Sequence, residues 1–327
     1  MLDRLVDRLA CPSCGGRLTK TSAEALGCNQ GHRWPVRDGV PRLVPPDLPE
    51  PHRKTADAFG WEWTHYVEQH PEFEAQFLDW IHPLRPDFFV GKSVLDAGCG
   101  TGRHAYFAAT YGAADVIGLD LSVAVETAAR VLSAFDNVAV VQGDLLRAPL
   151  RRPDEGGGFD LVYSIGVLHH LPDPRAGFLA LTEHLRPGGT IAVWVYGYEN
   201  NGFVRNVVEP MRRVSTRLDP GVLDVASWPL AAGFHGVARG IYRPLHGTPI
   251  GRRLPLSDYL ASVADFSFRQ NRAIVYDQLV APTAAYIHGD ELRGWFDTAG
   301  LEDVEITHRH GNSWRGRGRR PEVRTET

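Results

Sequence analysis

Cysteine is scarce in this chain of 327 residues: Cys11, Cys14, Cys28 and Cys99 are all there is. Three of them crowd into the first 28 residues, which argues for a metal site rather than the disulfide framework of a secreted domain. No apolar run approaches the ~20 residues of a membrane helix. The opening "MLDRLVDRLACPSC" mixes acids with bases and has no long apolar core, so it does not read as a signal peptide, and a cytoplasmic protein is expected. Charge of one sign is missing too: a net charge of −4 makes no general case for nucleic-acid binding. Internal repeats are absent.

What is present is ordinary soluble composition, 43% hydrophobic and 23% charged, in a length suited to one domain plus an appendage. Arginines gather late, ending in "SWRGRGRRPEVRTET". That run reads as ending in a solvated tail, with nucleic acid or an acidic substrate as the sharper alternative. Residues 1–46 are short-patterned and turn-rich, and "VPPDLPEP" marks a linker. Residues 47–92 hold a linker and one or two helices with aromatics in "FGWEWTHY". From Ser93 the rhythm changes. "SVLDA", "ADVIGLD", "NVAVVQGD", "FDLVYSI" and "TIAVWVY" are β-rich runs separated by helical stretches. Continuous apolar strands with helical crossovers define an α/β fold, a doubly wound, Rossmann-like, mostly parallel sheet over residues 93–196 and 289–316. Residues 197–288 break the alternation and are expected to form a helical cap over the carboxyl edge of the sheet. Residues 317–327 are expected to be a flexible tail.

The stretch "VLDAGCGTGRH" places Gly98, Gly100 and Gly102 after the first strand, with Asp96 just ahead. A dinucleotide loop is expected to read G-x-G-x-x-G. Here the third glycine comes one residue early and Arg103 fills its place. A carboxylate facing a pyrophosphate would suffer like-charge repulsion. Asp96 suits a ligand with an amine there, and S-adenosylmethionine is one. Asp120, with Leu121 beside it, ends the next strand, where an acid can accept from both ribose hydroxyls. Asp144 ends the third strand and can take the adenine amino group, with the Leu145 N–H facing the ring. Ser164 ends the fourth strand and joins this cofactor set. Asp96 and Asp144 could also merely cap turns, and Cys99 reads as small rather than nucleophilic. In "VLHHLPD", His169 and His170 line the acceptor pocket, act as base, or orient the loop. His169, nearer the strand end, is expected to matter more.

This run resembles class I S-adenosylmethionine-dependent methyltransferases with an acidic first motif and an H-H-L-P-D loop after strand four. The resemblance covers Ser93–Tyr196 densely and Gly289–His310 loosely. It implies a seven-stranded sheet whose last strand is antiparallel, yet "GNSWRGRGRR" is too polar and Gly-rich to look like that strand. Phe59, Trp61, Trp63 and Tyr66 either close the cofactor side or simply pack.

Cys11 and Cys14 form one C-x-x-C knuckle, and Cys28 with His32 a second. Three sulfurs and one imidazole make a closed, structural zinc site. The spacing resembles the zinc module of ribosomal RNA guanine methyltransferases. "WPVRDGVPRLVP" resembles small zinc-ribbon-like proteins that partner methyltransferases. The expected activity is methyl transfer from S-adenosylmethionine to a small-molecule or lipid-like acceptor. The alternatives are methylation of RNA, or a non-catalytic cofactor-binding protein whose zinc module docks a protein partner.

Overall fold

The computed structural model describes residues 5–65, 72–282 and 284–322. Four short strands open the chain: β1 (Leu18–Ser22), β2 (Ala25–Cys28), β3 (Arg33–Arg37) and β4 (Val40–Leu43). Helices α1 (Glu50–His65) and α2 (Glu72–Trp80) follow. Alternation then begins, with β5 (Ser93–Ala97), α3 (Arg103–Thr110), β6 (Asp115–Asp120), α4 (Val125–Val131) and β7 (Val138–Gly143). It continues with β8 (Phe159–Ile165), α5 (Pro174–Thr182) and β9 (Leu185–Tyr196). A helical stretch holds α6 (Glu209–Ser215), α7 (Pro220–Val237), α8 (Ser257–Val263) and α9 (Phe268–Val280). The chain closes with α10 (Gly289–Thr298), β10 (Glu302–Arg309) and β11 (Ser313–Arg319).

The described strands form one 11-stranded sheet in the order β1-β2-β3-β4-β7-β6-β5-β8-β9-β11-β10. Pairing is parallel from β4 through β9 and antiparallel outside that range. The central strands are apolar on both faces because helices cover both. Leu95, Ile117, Val141 and Val162 face one core, while Val94, Val116, Val140 and Leu161 face the other. β5 lies between β6 and β8, so the connections leave it in opposite directions and open a crevice at its carboxyl end. This mostly parallel Rossmann-like sheet is the fold class expected from the sequence.

Two expectations need correction. The run that looked too polar to be the last strand is β11, antiparallel between β9 and β10. Its arginines and glycines alternate because its two faces differ. Arg315, Arg317 and Arg319 pair with Asp79, Glu305 and Asp303 at 3.0, 3.3 and 3.0 Å. On the other face a Cβ at Gly316 or Gly318 would lie 2.7 Å from the Phe296 ring. The tail drawn from residue 317 is strand through Arg319, and Arg320 still hydrogen-bonds Gly188, Gly189 and Leu185; 323–327 lie outside the described residues. Nor does the first segment stand apart at residue 46. Arg42 and Leu43 of β4 pair with Gln142 and Gly143 of β7. Arg8 donates to Ser93 Oγ and to the Gly158 carbonyl, both at 2.7 Å, and pairs with Asp115. The segment is a continuation of the sheet.

Candidate active site and metal cluster

The glycine loop leaves β5 with Gly98, Gly100 and Gly102 all at positive φ, +87°, +51° and +81°. Glycine is required twice over at Gly98, where a Cβ would sit 2.3 Å from Val167. Gly102 caps α3, and a Cβ there would meet Leu132 at 2.7 Å. The loop is tied to the next strand. The Gly98 and Cys99 amides donate to the Leu119 carbonyl at 2.7 and 3.0 Å. The Gly100 amide donates to Asp120 Oδ2 at 2.9 Å, and Asp120 Oδ1 accepts from the amide and hydroxyl of Ser122. Asp120 is therefore a clamp on the loop as well as a cavity residue.

Beside this loop lies a cavity of about 780 Å³, large enough to hold a whole drug-sized ligand. Gly98, Gly100, Asp120, Leu121, Asp144, Leu145 and His170 line it. Asp144 Oδ1 accepts from the Leu146 amide at 3.0 Å, the turn-capping role weighed from the sequence. Its Oδ2 lies 3.5 Å from His52 Nδ1, across the cavity wall on α1.

Asp96, Gly102, Ser164 and His169 do not reach the cavity surface. Ser164 instead donates to the Ala97 carbonyl at 2.9 Å and pins β8 to β5. Asp96 is fully buried, its carboxyl faced by the Tyr163 hydroxyl and the Ala105 amide without a close hydrogen bond among the described residues. Burial, reinforced by the Asp120 charge, pushes its carboxyl up to about 8. Arg103 faces it from the start of α3, with its guanidinium 4.2 Å from the Phe73 ring centroid, and lines the cavity. Burial lowers Arg103 to about 10 against the pull of Asp96. Cys99 is buried, its thiol pushed well above the ordinary value by desolvation, so it is no nucleophile.

The two histidines are placed opposite to expectation. His170 lines the cavity, its ring 4.8 Å from that of Phe59. His169 is sealed behind it against the Tyr196 ring at 3.9 Å, and burial holds its pKa well below the usual range. The cause is the tight turn at Leu168–His170, which rotates successive side chains apart. Trp63 stands near Gly100 and lines the cavity, whereas Trp61 packs on Tyr276 at 5.3 Å. Tyr66 lies outside the described residues.

Beyond the loop the cavity wall is supplied by the helical cap, with Met211, Leu230, Phe234, Leu256 and Leu260 among its apolar residues. A polar cluster stands at its floor. The Tyr196 hydroxyl donates to Asp277 Oδ2 at 3.1 Å and accepts from Gln278 Nε2 at 2.8 Å. Arg212, buried, holds Gln278 through its backbone and side-chain oxygens at 2.8 and 2.9 Å. Burial raises the Asp277 carboxyl and the Tyr196 hydroxyl above their usual ranges. Sequence reasoning missed this cluster. Tyr196 had a signal, since it ends β9 at the carboxyl edge; Asp277 and Gln278 sit in a helix with no motif.

At the far end of the sheet, ligand atoms of Cys11, Cys14, Cys28 and His32 lie within 4.8 Å of one another. Cys14 and Cys28 sulfurs are 3.7 Å apart, and His32 Nδ1 is 3.3 and 3.6 Å from Cys28 and Cys11. Ligands at ~2.3 Å from a tetrahedral ion stand about 3.7 Å apart, so the donor set fits one cation. Trp34 Nε1 donates to Cys11 Sγ at 3.4 Å and orients the sulfur. Against desolvation, the Gln30 amide and the His32 ring lower the Cys28 thiol to about 6.

Sheet order, glycine loop and strand-end acids together define a class I methyltransferase fold. Residues 94–189 match the family model described as a methyltransferase domain. Over that stretch the chain is similar to methyltransferase domains. It is 27% identical over 252 residues to an uncharacterized protein of Synechococcus sp., covering 70% of this chain and 54% of that one. It is 35% identical over 124 residues to a ubiquinone biosynthesis O-methyltransferase of Neisseria meningitidis, covering 36% and 52%. It is 41% identical over 122 residues to a trans-aconitate 2-methyltransferase of Deinococcus radiodurans, covering 37% and 43%. The chain spans about half the length of the curated relatives it matches.

Proposed function

We propose that the protein transfers a methyl group from S-adenosylmethionine to a small-molecule acceptor with an apolar body. The observation that carries this is one cavity running from the glycine loop to the apolar wall of the cap. Asp120 would take the ribose hydroxyls, Asp144 and the Leu145 amide the adenine. Arg103, which lines the cavity, would take the α-carboxylate, while Asp96, buried behind the cavity wall, would favour the α-ammonium through its charge. When bound, the cofactor supplies an electrophilic methyl on a good leaving group. The chain's own tasks are to align the acceptor, exclude water and move a proton if the acceptor is a hydroxyl. His170 is the residue placed for that proton, and the Tyr196–Asp277 pair can hold the acceptor oxygen. Relatives named for small acceptors support the reading. The RNA alternative loses ground at the last arginine cluster, since Arg315, Arg317 and Arg319 are ion-paired within the sheet. Incubation with cell extract and methyl-labelled cofactor tests it: label is expected in organic-extractable small molecules. Label confined to RNA, or no transfer at all, overturns the proposal.

His170→Ala is expected to lower kcat at least tenfold with little change in cofactor affinity, while His169→Ala acts through stability. Steady-state kinetics and thermal melts on the two variants separate these effects. Equal turnover in wild type and His170→Ala would make the pair structural.

We also infer that the Cys11, Cys14, Cys28 and His32 cluster holds a structural zinc ion, since four protein ligands leave no open position. Metal analysis is expected to find about one zinc per chain. Cys14→Ser is expected to lose it and to lower the melting temperature, with cofactor affinity nearly unchanged. A metal-free wild-type protein with the same melting temperature as the metal-loaded form would refute the assignment.

A further inference from the structure

The cap turns an unusual face outward. Among the described residues, twelve of the sixteen exposed large apolar side chains fall between Phe203 and Ile250. Phe203, Val207, Met211 and Val214 recur at steps of four, four and three along one helical stretch, Leu218 follows just past its end, and all five are 41–62% exposed. On α7, Val222, Val225, Trp228 and Leu230 are 43–70% exposed, although Leu223, Ser227 and Ala231 already pack inward. A helix apolar on both sides belongs in a hydrophobic surround. No helix among the described residues is long and apolar enough to cross a membrane, so the face is one that would lie on an apolar layer, not through it.

Charge says which layer. The chain carries a net charge of −4, yet Phe203 to Arg253 holds eight arginines against three acids. Arg213, Arg217, Arg239, Arg252 and Arg253 are exposed and adjoin the apolar residues in sequence. Apolar side chains flanked by arginines match the boundary between anionic headgroups and acyl chains. The surface is also continuous with the cavity. Phe203, Val207, Met211, Leu230 and Val237 are exposed and line the cavity as well. Whatever covers the face thus meets the wall of the acceptor space.

We propose that the outer face of the cap, carried by the Phe203–Leu218 stripe and α7, docks the protein on an anionic lipid bilayer. Docking would seat the cap among lipid chains and let an apolar molecule pass from the bilayer into the cavity without crossing water. The binding half of the proposal does not depend on methyl transfer.

Co-sedimentation of the full-length protein with vesicles tests it. Vesicles of phosphatidylcholine with phosphatidylglycerol are expected to bind the protein at least tenfold more strongly than phosphatidylcholine alone, and salt to weaken that binding. Val214→Glu combined with Val225→Glu is expected to lose vesicle binding at least tenfold; neither residue lines the cavity. Arg213→Glu combined with Arg217→Glu changes only exposed charge and is expected to erase the preference for anionic lipid. It keeps the test informative if the first double variant melts early. Wild-type protein that stays in the supernatant with anionic vesicles overturns the proposal, as does unchanged binding by the charge-reversed variant. A wild-type dimer that Val214→Glu with Val225→Glu converts to monomer, without vesicle binding, would assign the face to self-association instead and also overturn it.

Discussion

Asp120→Ala is expected to weaken S-adenosylmethionine binding by ~1.5–3 kcal/mol, about ten- to 150-fold. The side chain acts twice. Its Oδ2 accepts from the Gly100 amide at 2.9 Å and its Oδ1 from Ser122, so the glycine loop is held open before any ligand arrives. Its remaining acceptor capacity faces the cavity, where the ribose hydroxyls would donate. Alanine removes both the tether and the acceptor. Asp120→Asn keeps an acceptor oxygen and should lose less. Titration calorimetry on both variants, with thermal melts to confirm folding, gives the comparison. A folded alanine variant with wild-type affinity would remove Asp120 from the cofactor site.

The second large effect is on pH dependence. Burial pushes the Asp96 carboxyl up to about 8, despite the Tyr163 hydroxyl and the Ala105 amide beside it. A cationic ligand favours the ionised form, so binding below pH 8 must expel the carboxyl proton. Affinity therefore rises as pH climbs toward 8, by at most tenfold per unit, or roughly a hundredfold between pH 6 and 8. Above pH 8 the carboxylate offers no further gain, and an α-amine with pKa ~7.7–8.0 begins to lose its own charge, so affinity turns down. Calorimetry in buffers of different ionisation heat should count about one proton released at pH 7. Asp96→Asn should bind more weakly and lose the slope. A flat wild-type profile would show that Asp96 does not answer a cation.

The sequence made the core of the site legible because its chemistry is local. Gly98, Asp120 and Asp144 follow strands at fixed offsets, and a strand end at the switch point faces the crevice whatever surrounds it. The Cys11, Cys14, Cys28 and His32 spacing was readable for the same reason. What the sequence hid depends on partners far along the chain. The β11 run looked like a tail because its arginines are answered by Asp79, Glu305 and Asp303, and its glycines by Phe296. Its strict period of two was the available sign of a strand. The order of His169 and His170 turned on one helical turn, below the resolution of pattern reading. Tyr196, Asp277 and Gln278 meet through packing alone, so their chemistry emerges only in three dimensions.

The position of β4 carries one more consequence. In a doubly wound sheet without the first segment, β7 would end the array, and "VAVVQG" would offer unpaired amides and carbonyls on a nearly all-apolar strand. Here β4 covers its carboxyl end through Arg42 and Leu43, and Pro41 stands in β4 itself, a residue suited to a strand margin. The ligand knuckles at Cys11–Cys14 and Cys28–His32 hold β1 to β3 in place behind it. The zinc proposed for those knuckles, more than a strand away, would thus guard the protein against edge-to-edge aggregation, and chelation is expected to shorten its life in solution by precipitation before it alters any chemistry.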